Sequence, residues 1–242
     1  MLTLDGKTVL VTGAAQRVGR SLAQAIAEAG GNVVIHYLHS QAEAESLRSE
    51  IRALGRQAHL LQAELSDPEQ AAGLIGRALA FGPLYALINN ASIFEPISWT
   101  QTQLEDWNRH LAVNLTAPFL LSQAFARTLP ETENGRIINL LDWRAMQPGA
   151  DHLPYTISKA ALAALTRSLA IAFAPRISVN GLALGAILPP KGSETSDDIL
   201  SKVPARRWAK LEEVDQAILF LLAGPAYITG EVIHIDGGRH LG

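Results

Sequence analysis

Short apolar runs alternate with longer helical stretches along the whole chain, and this alternation limits the possible folds more than any other feature. The runs Thr8–Val11, Asn32–Tyr37, Gln57–Gln62, Leu84–Asn89, Arg136–Leu141, Ile177–Gly181 and Val232–Ile235 read as strands. Helical patterns fill the gaps at Arg20–Ala29, Gln41–Leu54, from Asp67-Pro68 onward, Glu105–Leu129, Pro154–Ala174 and Glu212–Ala223. Parallel strands need a crossover of about a dozen residues or more, and helices in that role cover both faces of the sheet. The expected class is therefore α/β, a doubly wound parallel sheet with helices on both faces. A chain of 242 residues that is 48% hydrophobic can bury one sizeable core. With no linker or repeat, residues 1–242 read as a single domain. Gly185–Lys202 holds Pro189-Pro190 and Gly192 and reads as a loop or lid; the substrate loop is placed at about 185–210.

Charge and composition remove several function classes. A net charge of −3 gives no reason to expect nucleic acid or an anionic membrane as partner. There is no cysteine, hence no disulfide and no thiolate metal site, and no metal is expected. The N-terminus lacks a basic-then-apolar leader pattern, and the apolar stretch Ala160–Ala174 is shorter than the ~20 residues a bilayer requires. The expectation is a soluble cytoplasmic protein with a small-molecule substrate.

Thr12-Gly13-Ala14-Ala15-Gln16-Arg17-Val18-Gly19 joins the first strand to the first helix. Glycine there permits a tight turn and lets the backbone approach a pyrophosphate at the helix N-terminus. Strand two ends Ile35-His36-Tyr37-Leu38-His39-Ser40, without the acid that would bind the ribose hydroxyls of NAD. Arg17 with these imidazole and hydroxyl donors suits a 2′-phosphate, so NADP(H) is favoured over NAD(H). The alternative is that His36 and His39 are ordinary strand-end residues. Asn89-Asn90-Ala91-Ser92 closes strand four, at the carboxyl edge that faces the crevice of such a sheet.

Tyr155-x-x-x-Lys159 puts a phenol and an ammonium on one helical face. A neighbouring positive charge favours the ionised phenol, which would make Tyr155 a proton donor near neutral pH. Asp142 lies thirteen residues earlier, at the end of a strand. Trp143 beside it could line a pocket or simply pack.

Together these motifs resemble the short-chain dehydrogenase/reductase family over essentially the whole chain. The set is Thr12–Gly19, Asn89-Asn90-Ala91, Asn114, Tyr155-x-x-x-Lys159, Asn180 with Gly185, and Asp236-Gly237-Gly238. The resemblance implies a single-domain Rossmann fold, nicotinamide chemistry and a homotetramer. Its interfaces would be formed by Glu105–Leu129, Pro154–Ala174 and Val232–Ile235. It implies Tyr155 as general acid, Lys159 lowering its pKa and holding the nicotinamide ribose, and Asn114 supporting a water-linked proton relay. The implied cofactor contacts are Gly13, Arg17, Val18, Gly19, His36, Tyr37, His39, Ser40, Glu64, Leu65, Asn90, Ala91, Ser92, Tyr155, Lys159, Gly185 and Ile187.

The chain departs from the family's usual pattern at three places. Arg17 replaces the middle glycine of the turn, Asp142 replaces the usual catalytic serine, and Leu184-Gly185 replaces a Pro-Gly pair. The first two together resemble the pteridine reductases, as do the cofactor loop, His36–Ser40 (with His39 where an arginine is typical) and Asn90-Ala91-Ser92-Ile93-Phe94, whose phenylalanine would stack on a pterin. The implied substrate contacts are Arg17, Ser92, Phe94, Asp142 and Tyr155. Chemistry points the same way: an ionised carboxylate repels the oxyanion of a ketone reduction but can stabilise a protonated ring nitrogen. Three readings stand at this point: an NADPH-dependent pteridine reductase, a 3-oxoacyl carrier-protein reductase or other carbonyl reductase of the same fold, and a non-catalytic NADP-binding regulator.

Overall fold

A computed structural model describes residues 3–189 and 197–242. Its elements in chain order are β1 (Thr8–Val11), α1 (Arg17–Glu28), β2 (Asn32–Tyr37), α2 (Gln41–Ala53), β3 (Ala58–Gln62), α3 (Pro68–Ala78), β4 (Ala86–Asn89), α4 (Leu104–Leu111), α5 (Ala117–Thr128), β5 (Gly135–Asp142), α6 (Leu153–Phe173), β6 (Ile177–Leu184), α7 (Asp197–Ser201), α8 (Leu211–Ala223) and β7 (Val232–Ile235). The strands form one sheet in the order β3-β2-β1-β4-β5-β6-β7, and every neighbouring pair is parallel. The chain winds outward from β1 through β2 to β3, then returns to the other side of β1 with β4. That reversal opens a crevice at the carboxyl ends of β1 and β4.

Successive side chains of a strand point to opposite faces, and the core divides accordingly. Val9, Val11, Val33, Ile35 and Ile88 pack with Leu22, Ile26, Leu47, Ile51, Val214 and Ile218 from α1, α2 and α8. Leu10, Val34, Leu87, Ile137 and Val179 face the other way, onto Leu74, Ile75, Leu121, Phe125 and Leu169 from α3, α5 and α6.

Two elements differ from the sequence reading, each for a physical reason, and a third, α6, falls where it was read. Strand β6 continues past Gly181 to Leu184. Glycine weakens strand propensity, but a Cβ at this position would lie 2.5 Å from Leu141 Cδ1, so the residue marks a close approach and not an end. The helical stretch after Glu105 is interrupted by a π turn at Ala112–Thr116. Pro118 has no N–H for the carbonyl of Asn114, four residues back, and the helical ladder widens there. Finally, α6 spans 21 residues and, by length and composition alone, could cross a membrane. Instead its Ser158, Lys159, Leu162, Thr166 and Leu169 are buried in the protein. Within the segment read as a loop, the structure shows the short helix α7; residues 190–196 lie outside the described residues.

A buried polar chain ties β4, β5 and α6 together beneath the crevice. Asn89 Nδ2 donates to Asn139 Oδ1 at 2.8 Å, Asn139 Nδ2 to Thr166 Oγ1 at 2.8 Å, and Thr166 Oγ1 to the Leu162 carbonyl at 2.8 Å. Asn139 is fully buried, so removing it leaves polar partners without water to replace it. Asn139→Ala should lower unfolding free energy by about 2–4 kcal/mol, the cost of a cavity plus stranded hydrogen-bonding groups. Urea unfolding would measure this, and a loss below about 0.5 kcal/mol would mean the chain is not a structural tie.

Candidate active site

The glycine turn is held open from three sides. Thr12 Oγ1 donates to the Ile88 carbonyl at 3.3 Å and accepts from the Asn90 and Ala91 amides at 2.9 and 3.0 Å. Asn90 Nδ2 donates back to the Thr12 and Gly13 carbonyls at 2.8 and 3.1 Å. On the β2 side, the Gly13 amide donates to His36 Nδ1 at 3.0 Å and the Ala14 amide to the His36 carbonyl at 2.9 Å. Gly13 has φ +61, and a Cβ on Gly19 would sit 2.2 Å from the Gly13 carbonyl and 2.6 Å from Asn90 Nδ2. These glycines form a cradle that a side chain would fill, beside the open N-terminus of α1. This is what a pyrophosphate requires.

His36 has a different role from the one expected. Since Nδ1 accepts from Gly13, the ring proton is on Nε2, which donates to the Ala63 carbonyl at 3.1 Å. Burial brings its pKa down to about 4, against a smaller opposing effect of the Ala63 hydrogen bond. It is a neutral clamp between β1, β2 and the end of β3, not a cation for a phosphate.

The crevice over this turn has a volume of about 600 Å³ and is lined by Gly13, Arg17, Val18, Gly19, His36, His39, Glu64, Leu65, Asn90, Ala91 and Ser92. Two expected contacts lie elsewhere. Tyr37 is buried in the core because it is the last pleat of β2 facing α2. Ser40 precedes α2 as its N-cap residue and does not line the crevice. Sequence reasoning missed Leu38, Ala63, Ser66 and Ile93, which line the crevice on segments flanking expected contacts.

A second cavity of about 790 Å³ joins the first through Arg17, Val18, Asn90 and Ser92. It collects Phe94, Asp142, Tyr155, Lys159, Gly185 and Ile187, together with Trp143, Arg144 and His152. Tyr155 donates its hydroxyl proton to Asp142 Oδ2 at 3.0 Å, and Asp142 Oδ1 accepts the Arg144 amide at 2.9 Å. The strand end at β5 and the first turn of α6 thus bring together two residues thirteen apart in sequence. Phe94 is 54% exposed, which excludes a plain core role. It stacks on His152 at 4.3 Å and meets Tyr155 edge-on at 4.7 Å.

One expected role is corrected here. The Lys159 ammonium donates to the Leu140 carbonyl at 2.8 Å and lies 5.8 Å from the Tyr155 ring centre. Burial lowers its pKa to about 8, opposed by Asp142. The Tyr155 phenol is pushed well above its ordinary value, first by burial and then by the Asp142 carboxylate, so it holds its proton. Helical spacing correctly put the two residues on one face, but burial and the carboxylate set the phenol, opposed only by the more distant charge of Arg144. Asn114 is fully buried in the π turn and its side-chain hydrogen-bonding capacity is taken up, so a relay water would have to meet its main-chain carbonyl, to which Pro118 offers no N–H. Its Nδ2 donates to the Ile93 carbonyl and Ser158 Oγ, both at 3.0 Å, and its Oδ1 accepts from the Ile93 amide at 2.9 Å and Ser92 Oγ at 3.1 Å. It fixes the segment that presents Phe94. Gly185 fits because a Cβ there would lie 2.5 Å from the Asp236 Cα, which explains why the two motifs occur together.

Comparisons with known proteins extend along the chain. Residues 13–240 match the family described as enoyl-(acyl carrier protein) reductase. A 3-oxoacyl-[acyl-carrier-protein] reductase of Synechocystis is 33% identical over 98% of this chain and 98% of its own length. The corresponding Staphylococcus aureus enzyme, FabG, is 31% identical over 97% and 98%. Among solved structures, FolM alternative dihydrofolate reductase 1 from Brucella canis, complexed with NADP, superposes with a TM-score of 0.91 at 36% identity, covering 98% of this chain and 95% of that one. A short chain dehydrogenase from Burkholderia cenocepacia in complex with NADP gives 0.92 at 34%, covering 98% of each.

Two outcomes follow from this geometry. Arg17 has φ 52, a left-handed backbone conformation that costs a non-glycine residue about 1–2 kcal/mol. Arg17→Gly should leave stability within about 1 kcal/mol of the unaltered protein, since strain relief offsets the added unfolded-state entropy. Because Arg17 lines both cavities, dinucleotide affinity should fall at least tenfold in an isothermal titration. Unchanged affinity would leave the strained arginine without a function. The second outcome concerns pH. His36 binds its proton less readily folded than unfolded, so stability falls as pH drops from about 6.5 to about 4, by on the order of 3 kcal/mol from this group. Above pH 6.5 the effect is absent. His36→Gln should flatten that slope in denaturant titrations at stepped pH, and an unchanged slope would rule the clamp out as its source.

Proposed function

Because the chain belongs to the short-chain dehydrogenase/reductase family, we propose that it is an NADPH-dependent reductase of a pterin ring, converting a dihydropterin, or a dihydrofolate-like molecule, to its tetrahydro form. The observation that carries this reading is the Tyr155 hydroxyl donating to Asp142 at 3.0 Å, beside the exposed ring of Phe94.

The residues suit the dinucleotide that the family implies. Gly13, Gly19 and the first turn of α1 would hold its pyrophosphate, and Arg17 and His39 its 2′-phosphate, with no carboxylate at the end of β2 to oppose one. NADPH, when bound, supplies the hydride. The chain supplies the proton and the orientation. Phe94 offers a flat face to a flat heterocycle. Reducing a C=N bond puts the hydride on carbon and leaves nitrogen in need of one proton. The Tyr155–Asp142 pair holds that proton within one hydrogen bond; its transfer to the ring nitrogen ahead of the hydride makes a cation that the carboxylate stabilises and that the hydride then neutralises. Lys159, held by Leu140, adds positive charge at the base of the site.

The curated relatives favour a second reading, reduction of a 3-oxoacyl thioester. Its transition state puts negative charge on a carbonyl oxygen next to Tyr155. A serine hydroxyl could donate to that oxygen, whereas the Asp142 carboxylate repels it. The Brucella neighbour, named an alternative dihydrofolate reductase, accords with the pterin reading. A silent dinucleotide-binding regulator would have no use for the Tyr155–Asp142 pair. The proposal includes a cytoplasmic homotetramer that uses the outer faces of α4, α5, α6 and β7.

NADPH oxidation with dihydrobiopterin, dihydrofolate and an acetoacetyl thioester tests the assignment. The pterin substrates should be turned over and the thioester poorly. Asp142→Ser should cut pterin turnover about 10²-fold or more, the usual scale for a general acid–base group, and gain thioester activity. Tyr155→Phe should lower kcat while leaving NADPH binding intact. Efficient thioester reduction with no pterin turnover would defeat the reading.

A further inference from the structure

The outer end of the substrate cavity carries charge that the hydride and proton chemistry does not use. Arg239, in the turn after Asp236-Gly237-Gly238, places its guanidinium 4.2 Å from the Trp143 ring centre, and that of Arg144 lies 4.8 Å from the same ring. Arg144 continues inward to Phe94 at 5.9 Å, and Phe94 reaches Tyr155. An unbroken path of rings and guanidinium planes thus leads from the reacting end to Arg239.

The carboxylates along this path are already engaged. Asp142 takes the Tyr155 hydroxyl and the Arg144 amide. Asp151 takes Arg144 at 2.7 Å and His152 at 3.0 Å. Asp236 takes the Gly238 and His240 amides and His240 Nδ1. Asp198 faces Lys202 at 3.4 Å. Among the described residues Arg239 has no carboxylate partner, and its Nε is buried without a hydrogen bond. Burial, then the nearby Arg144, makes its charge harder to hold, opposed in smaller measure by Asp142, Asp151 and Asp236, none of which pairs with it directly. Beyond it lies a further cavity of about 480 Å³, lined by Trp143, Ser201, Lys202, Pro204, Arg206, Arg239 and Gly242. Its ionisable side chains, Lys202, Arg206 and Arg239, are cationic; the one negative group in the lining is the main-chain carboxylate of Gly242, which accepts from Gln147 Nε2 at 2.7 Å and makes no ion pair with Arg239. Trp143, Lys202 and Arg239 belong to both cavities. A partly desolvated guanidinium without a counter-ion is costly, and a bound anion removes that cost.

We propose that this outer cavity is an anion subsite centred on Arg239, with Arg206 and Lys202 beside it, and that the substrate carries a carboxylate or phosphate on a substituent directed away from the reacting ring. The inference rests on the pterin reading and narrows it: anionic-tailed pterins are preferred over neutral ones. Trp143 gives the non-reacting part of the tail an aromatic wall, and its ring fixes the plane of the guanidinium for a two-pronged contact.

The test compares dihydrofolate, dihydroneopterin phosphate and neutral dihydrobiopterin in NADPH oxidation by the unaltered enzyme, Arg239→Gln and Arg239→Lys. Arg239→Gln should raise KM for an anionic-tailed substrate about tenfold or more while changing the neutral one less than about twofold, as expected for losing one charged hydrogen bond. Arg239→Lys should restore part of the loss, and Arg206→Gln should give a smaller shift in the same direction. Added salt should raise KM for the anionic substrate in the unaltered enzyme and much less in Arg239→Gln. A shift confined to dihydrofolate identifies a carboxylate tail; one confined to the phosphorylated pterin identifies a phosphate. Equal effects on charged and neutral substrates, or none, would overturn the subsite and reduce Arg239 to packing on Trp143, with the pterin reading intact. No turnover of any pterin would bring down that reading and this inference together.

Discussion

The Thr12 hydroxyl sits where the two halves of the sheet meet, and the site depends on its three hydrogen bonds. It donates to the Ile88 carbonyl on β4 and accepts from the Asn90 and Ala91 amides just beyond. Strand order reverses between β1 and β4, so no helix can cover the carboxyl ends of both strands, and a crevice is left there. A crevice at a reversal is a weak point unless its rim is tied. Thr12 and Asn90 tie the β4 side and His36 ties the β2 side. The turn they hold can then do without side chains at Gly13 and Gly19, which keeps its amides accessible. Rigidity of the rim and openness of the cradle are therefore one requirement, met by short polar side chains bonded to backbone.

The same economy governs the reacting end. Asp142 is the last residue of β5 and Tyr155 lies in the first turn of α6, so neither side chain needs a loop to aim it. Their hydrogen bond keeps the phenol protonated, because burial and the carboxylate both oppose its ionisation. The usual expectation, a phenol made acidic by a lysine, requires the ammonium to be free to approach. Here the Leu140 carbonyl holds it. What remains is a phenol that keeps its proton and donates it in a hydrogen bond to a carboxylate.

Much of this was legible in the sequence. β1, β2 and β7 fall where periodicity put them, since short apolar runs between turn residues have few alternatives. The glycine turn, the strand-end Asn90 and the Asp142–Tyr155 pair were visible as motifs. What failed to show depends on tertiary partners. The end of β6 was hidden because Gly181 looks like a stop until Leu141 is seen packed against it. His36 resembled a phosphate ligand because a strand sequence does not say which atoms flank an imidazole. The four hydrogen bonds by which the Asn114 side chain ties down the Phe94 segment were hidden because their partners, Ile93, Ser92 and Ser158, lie twenty or more residues away. Arg144 and His152 were missed although they lie two residues after Asp142 and three before Tyr155. A short 3-10 turn at Trp143–Ala145 and a left-handed His152 swing them into the cavity, and neither leaves a period in the sequence.

Overall similarity does not choose the substrate. Relatives named as 3-oxoacyl-[acyl-carrier-protein] reductases and a neighbour named as an alternative dihydrofolate reductase are nearly equally identical to this chain, at 33%, 31% and 36%. A fold that serves many reactions transmits its scaffold in most of its residues and its chemistry in a few. The discriminating positions are therefore those where the scaffold bears a cost. Arg17 holds a backbone conformation that glycine would hold freely. Asp142 puts a carboxylate beside a buried phenol and raises its pKa where a serine would not. Arg239 is partly desolvated without a carboxylate partner among the described residues. None of the three is explained by packing, and all three line the same cavity. A phosphate-bearing cofactor lowers the cost at Arg17 whatever the substrate is, so the choice between substrates falls to Asp142 and Arg239, where a neutral ketone offers neither a nitrogen that accepts a proton nor a negative tail.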